Sequence, residues 1–474
     1  MPARLKLFFN PPGQPGKLVS RLFWTALVVR LLYLTLAHTY RIRLSNDHFE
    51  FGWEMGRIAR SLATGYGYSD PFEGHTGPTA WTPPLYPLIL AGVFKIFGVY
   101  TNASVWVILA INSVFSAATA PTIYQIARRA FARSPDALKI AVWSGWLWAF
   151  YPAAMQYAVK WVWDMSLTAC LFAWVILLAL KLRDESSTSR WLLFGSLWGL
   201  IALSNSSLLA FLPFCALWII WPTSVDQKEP SFWRSQNLRS GRYLHERQGA
   251  PSQSAPSIEM GSNNPNSLSS NLRNLTLAAL CTLAIVSPWI LRNQLTFHAF
   301  VPLRSNFGAE LYESAQLENE GYPTMATLPH SESSPDFQRY KRLGELAYSR
   351  EHGNRAKAII RAHPATFASH ILKRAYFFWA SVPHPTEHGW KGIAAETARE
   401  FSYAFLSLAG ILGLALALRD HVPAAWLFFW AFAVYPLLYY AITVQARFRH
   451  PLEPLICILA VYLFRSAKPK QSKA

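Results

Sequence analysis

Long apolar runs separated by short polar stretches recur along almost the whole chain. A helix needs about 20 apolar residues to cross the hydrocarbon core of a bilayer, so the runs at 22–40, 104–127, 140–158, 165–181, 191–206, 207–222, 274–291, 401–418, 423–444 and 452–464 predict about ten transmembrane helices and an all-α polytopic membrane protein. Several runs are short. The pair 191–206 and 207–222 meets at Leu203-Ser204-Asn205-Ser206 and fits either two tilted spans or one re-entrant unit.

Basic residues orient these spans, because Lys and Arg concentrate in cytoplasmic loops. The basic stretch Met1 to Arg21 is followed by an apolar run to Tyr40 without an A-x-A cleavage site, which is expected of a retained first span. Residue 1 is then cytoplasmic. If the apolar run Pro83 to Gly98 lies in the interface or re-enters, Arg128, Arg129, Arg133, Lys139, Lys181, Arg183 and Arg190 all fall inside. So do Arg465, Lys468, Lys470 and Lys473, making both termini cytoplasmic, and only Arg447 and Arg449 break the rule.

Four parts follow from this topology. Residues 1–222 form an N-terminal transmembrane module with external loops at 41–103 and 158–164. Residues 223–273 form a polar cytoplasmic loop whose Ser, Asn, Pro and Gly composition over Gln248 to Asn271 predicts disorder. Residues 274–400 hold a span and a small helical external domain, with amphipathic helices expected at Asp336 to His352 and Asn354 to His363, stopped near Gly353 and Pro364. Residues 401–474 hold the last helices and a basic tail.

Composition agrees. Of 474 residues 52% are hydrophobic and 15% charged, against about 25% charged in soluble proteins. The net charge of +18 lies in short clusters between apolar runs, a pattern of loops near anionic headgroups and not of a nucleic-acid surface. Twenty Trp and twenty Tyr suit interfacial belts. Cys170, Cys215, Cys281 and Cys457 all sit in apolar stretches with no CxxC or CxxH spacing, which argues against a disulfide framework or zinc site.

Candidate chemistry begins in the first external loop, where Asp47, Glu50 and Glu54 fall within eight residues of one another. In a continuous helix Glu50 and Glu54 share a face, with Arg57 three residues further on. Such acids suit a general base acting on an acceptor hydroxyl, and the same spacing suits an ordinary solvated helix face. The proline-rich stretch from Pro71 to Pro87 cannot be regular helix, and predicts a shaped rim. Asp164 stands at a junction of two spans, facing either a cavity or Lys160. Arg292, Arg304, Arg447 and Arg449 are external cations able to hold a phosphate; Arg292 alone also suits a snorkelling helix end. Arg30 falls near the middle of the first span, lining a polar cavity or snorkelling, and the histidines across 298–388 show no metal-ligand spacing and are expected at the surface.

Together these features resemble the polytopic GT-C glycosyltransferases, near the protein O-mannosyltransferase and lipid-A aminoarabinose transferase families. The likeness rests on the acidic helix ending Gly56-Arg57-Ile58-Ala59, the Gly65-Tyr66-Gly67-Tyr68 turn, the Pro84-Leu85-Tyr86-Pro87 run, Asp164, and Pro288-Trp289 with Arg292-Asn293, in that order along the chain. It implies transfer of a sugar from a polyprenyl-phosphate carrier to a glycan, lipid or protein acceptor on the external face. It further implies an acid of the first loop at the acceptor, an acid of the second assisting, and basic groups on the carrier phosphate. Relatives place an acidic pair seven residues before the Ile-Ala step; here that register gives Phe51 and Gly52, and Glu54 is the preferred heir. A lysine found between short spans in the aminoarabinose transferases corresponds to the Ser204-Asn205-Ser206 step, leaving Arg447, Arg449 or Lys160 as substitutes.

The expected setting is a bacterial inner membrane with a periplasmic active site. No cofactor is expected. Asp47, Glu50, Glu54 and Asp164 are the acids that would converge on Mg²⁺ or Mn²⁺, but no Asp-x-Asp pair accompanies them. The competing class is a transporter or flippase for a lipid-linked or small solute, which internal repeats and midplane charges would favour; no repeat is evident.

Overall fold

A computed structural model describes residues 15–43, 47–221, 268–318, 321–322, 327–382 and 390–466. Among them the chain is helical, with no strand beyond a single bridge between Ser69 and Pro78. Most of the polar 223–273 loop and both terminal tails lie outside the described residues, although Leu268–Phe297 is already helical from its first residue.

Among the described residues five helices are long and apolar enough to cross a membrane: Gly16–Leu36, Asn102–Ala130, Met165–Asp184, Ser270–Phe297 and Glu396–Arg419. The other expected spans are shorter or broken, so length and composition alone do not confirm a count of ten. Pro152 and Pro213 fall in the first turn of short helices, where a missing N–H costs little, and so divide the runs they interrupt. The run at 83–98 is the short helix Leu85–Phe97.

Met165–Asp184 is apolar all round because it is buried nearly all round. It packs on Asn102–Ala130, which in turn carries Pro15–Leu36 and Ala137–Phe150. Helix Leu268–Phe297 crosses Thr188–Ala202 at Gly195 and Gly199; a side chain on Gly195 would run into the Ala278 carbonyl. Small residues four apart let two backbones approach closely in this way. Arg30 is fully buried and neither snorkels nor lines the main cavity. Its guanidinium donates to the carbonyls of Trp148 and Ala149 at 3.3 and 2.9 Å and to Ser116 Oγ at 3.0 Å. It thereby gives a donor to the Ala149 carbonyl at the end of Ala137–Phe150 and a second donor to that of Trp148, which also accepts the Tyr151 N–H.

The first long loop and the 298–363 segment fold together. Phe72 and Trp81 of the loop share one apolar cluster with Ala309, Phe337, Tyr340 and Tyr348. The amphipathic helices of this segment run Pro335–Leu343 and Glu345–Ala362, so the stop is Gly344, at φ 78°, and not Gly353. Gly353 lies inside a helix because Phe307–Ala315 crosses it there: a side chain at 353 would meet Gly308 Cα at 3.3 Å. Glycine marks a close approach at one position and a left-handed turn at the other.

Candidate active site

A cavity of about 370 Å³ opens where the first loop, the 298–363 segment and the ends of the apolar helices meet. Its polar lining includes Glu54, Asp164, Arg304, Glu310, His330 and Arg447.

Glu54 reaches the cavity because the helix begins late. Gly52 is left-handed at φ 91°, Trp53 follows at φ 51°, and the helix runs Trp53–Thr64. A side chain at 52 would meet Val162 at 3.1 Å, so this entry suits glycine on both counts. The turn stacks Trp53 on Trp163, ring centres 4.1 Å apart, and points Glu54 into the cavity. It also breaks the register that would have put Glu50 beside Glu54. Glu50 is exposed and does not line the cavity.

Asp164 precedes the first turn of Met165–Asp184, where the helix end favours negative charge. Its carboxylate accepts from Thr168 Oγ1 at 3.2 Å and Ser204 Oγ at 3.5 Å. Burial pushes its pKa up to about 6, against the opposing pull of the Thr168 hydrogen bond and of Arg447 and Arg304. Lys160, the alternative partner, is exposed and outside the cavity. The Ser204-Asn205-Ser206 step does line it, with Asn205 Oδ1 accepting from Ser207 N at 3.2 Å and Tyr439 OH at 3.4 Å.

Of the candidate cations, two face the cavity. Arg447 lies 3.3 Å from the Trp163 ring centre, and burial lowers its pKa to about 10 while Glu54, Asp164 and Glu310 oppose the shift. It therefore remains a cation at neutral pH. Arg304 donates to the Trp81 carbonyl at 3.1 Å and stands 3.7 Å from Glu310.

The remaining candidates occupy other places. Arg57, buried, ion-pairs with Asp47 at 3.7 Å, and Asp47 also pairs with Arg60 at 2.9 Å, binding the 47–50 turn to the helix. Arg292 donates to the carbonyls of Thr79 and Tyr68 at 2.6 and 2.7 Å, fastening the proline-rich rim. Arg449 is fully buried, paired with Glu453 at 3.1 Å beside His450, and does not line the cavity.

Two acids of the cavity are not among the sequence candidates. Glu310 and Glu313 lie three apart on one short helix that starts just after Arg304, a spacing the sequence did display. Burial raises the pKa of Glu310. His330 was expected at the surface with its neighbours; instead its ring nitrogens are buried, as are His352 and His370, whereas His298 and His363 are exposed. Nothing in the Leu328-Pro329-His330 step signals this, because its burial depends on the first loop. Among the described residues no three His, Cys, Asp or Glu side chains are grouped to hold a metal ion.

The family model described as dolichyl-phosphate-mannose-protein mannosyltransferase matches residues 82–233. That match bears out the likeness to GT-C mannosyltransferases over this stretch and supports a multi-pass membrane glycosyltransferase. No curated protein matches the chain. Among solved structures it is similar to the oligosaccharyltransferase of Archaeoglobus fulgidus. The apo form is 13% identical with a TM-score of 0.47, covering 94% of this chain and 50% of that one. The form tethered to an acceptor peptide with an NVT sequon is 12% identical with a TM-score of 0.46, covering 94% and 49%. This chain thus spans about half the length of that archaeal enzyme.

Proposed function

We propose that the protein transfers a sugar from a polyprenyl-phosphate carrier to an acceptor hydroxyl in this cavity, by in-line displacement with inversion at the anomeric carbon. The observation that carries the reading is the convergence of Glu54 and Asp164 with Arg304 and Arg447 on one enclosed space. In such a transfer the bond from the anomeric carbon to phosphate breaks, and its electron pair leaves with the phosphate. Arg447 and Arg304 neutralise that developing charge. The acceptor oxygen forms the new bond and gives its proton to Glu54. Asp164, held by Thr168 and Ser204, orients the acceptor. Trp53 and Trp163, stacked on each other, add apolar surface to the lining beside the sugar. A bacterial inner membrane with the cavity on its periplasmic side suits the charge pattern of the loops.

The test is sugar release from radiolabelled polyprenyl-phosphate hexose by the protein in lipid, wild type beside Glu54→Gln and Asp164→Asn. Turnover that collapses in Glu54→Gln supports the reading. Wild type that moves the carrier between leaflets without releasing sugar would replace it with the flippase.

A further inference from the structure

We infer that His330 takes over the acceptor's proton from Glu54, so that the two residues form a short proton path in the cavity wall. The inference rests on the proposed transfer and adds to it a residue of the 298–363 segment.

His330 Nδ1 stands 4.0 Å from Glu54 Oε1. Both ring nitrogens are buried and have no hydrogen-bond partner among the described residues. A buried polar group without a partner is costly, and in native proteins its survival calls for a reason outside the fold. The ring is not loose. Its own carbonyl accepts from Arg57 Nη1 at 3.4 Å, and its amide donates to the Leu328 carbonyl at 2.9 Å. Phe49 and Phe72 flank it, with ring centres at 4.9 and 5.8 Å. The backbone and two aromatic rings thus hold an imidazole whose nitrogens make no hydrogen bond and one of which faces Glu54.

The charged groups facing it are Glu54 and Arg57 from helix Trp53–Thr64 and Glu313 from Phe307–Ala315; the 47–50 turn and the loop around residue 72 present it with rings. Burial, partly opposed by Glu54, lowers the affinity of the imidazole for a proton. It is therefore neutral and able to accept one at neutral pH.

The step balances simply. The acceptor O–H bond breaks as its oxygen bonds the anomeric carbon, and the proton passes to the Glu54 carboxylate. Glu54 then gives that proton to a ring nitrogen of His330, which becomes an imidazolium beside a restored carboxylate and later releases the proton to water. A separation of 4.0 Å suits an empty site, since catalytic hydrogen bonds often tighten only once substrate is bound.

The experiment uses the full chain in lipid vesicles and sugar release from radiolabelled polyprenyl-phosphate hexose. His330→Ala is expected to lower kcat about 100-fold with little change in the donor KM. Free imidazole should restore part of the lost rate in His330→Ala, through the space left behind, and none in His330→Gln. Adding His330→Ala to Glu54→Gln should cost nothing further. An unchanged kcat in His330→Ala, a loss that imidazole does not relieve in a variant with wild-type thermal unfolding, or additive losses in the double variant would each overturn the inference. Wild type that releases no sugar removes the proposed reaction and this step with it; active wild type with an unaffected His330→Ala removes the step alone.

Discussion

Glu345 Oε1 accepts the backbone N–H of Ala80 at 2.7 Å, joining the 298–363 segment to the rim of the first loop. The same buried carboxyl accepts from Ser305 Oγ at 2.6 Å and Tyr340 OH at 2.9 Å, and from Thr79 Oγ1. Glu345→Ala strands these donors, each at a cost of about 1–3 kcal/mol. Glu345→Gln keeps an acceptor oxygen and should cost less than half as much. Thermal unfolding in detergent should therefore rank wild type, then Gln, then Ala, and equal midpoints for Gln and Ala would refute the latch.

Asp164 sets a pH limit. A carboxyl whose pKa is raised by folding holds its proton more tightly in the native state, so the stability that proton contributes is full below the ordinary carboxylate range and is lost as pH rises through about 6. Asp164→Asn cannot ionise and avoids that loss. Its unfolding midpoint should exceed that of wild type at pH 7.5, and the difference should vanish near about pH 4, where both forms are neutral. Turnover should move the other way, absent in the variant and falling in wild type as pH drops through about 6. A variant less stable than wild type at pH 7.5 would contradict the assignment.

Arg447 and Arg292 should separate in kinetics. Losing a charge-assisted hydrogen bond to phosphate costs about 1.5–3 kcal/mol, so Arg447→Ala should raise the donor KM roughly 10- to 150-fold with its unfolding midpoint little changed. Arg292→Ala removes the donor to the Thr79 carbonyl and one of the two donors to the Tyr68 carbonyl, and should lower the midpoint instead. Donor titration and thermal unfolding on both variants give the comparison, and a reversed pattern would exchange their roles.

The crossing of Thr188–Ala202 with Leu268–Phe297 leaves no room at Gly195. Gly195→Ala sets a methyl against backbone, which cannot swing aside as a side chain can, and overpacking of this kind costs about 1–3 kcal/mol. Gly92, where a new side chain meets nothing within 4 Å, is the matched control. Folded yield after solubilisation should drop for Gly195→Ala and hold for Gly92→Ala; equal yields would mean that the crossing is looser than described.

The sequence showed the helices and the order of the apolar runs because lipid demands length and hydrophobicity, and both are written locally. Glu54 and Asp164, which line the cavity, were candidates for a related reason: acids beside apolar runs stand out. The broken register at Glu50 was not visible, since it depends on Gly52 adopting a left-handed turn against Val162, which lies far off in sequence. Arg447 and Arg449 looked alike as neighbours in one polar step, yet a turn of 3₁₀ helix over Ala446–Leu452 sends one to Trp163 and the other to Glu453. His330 gave no signal because the rings that bury it come from residues 49 and 72.

The cavity is a mosaic. Its walls come from positions as far apart as Trp53 and Pro451, and the stretch shared with the mannosyltransferases, 82–233, supplies Asp164 and the 204–207 wall but not Glu54, Arg304, His330 or Arg447. Substitutions outside that stretch are therefore enough to re-line most of the chamber while the matched scaffold stays intact.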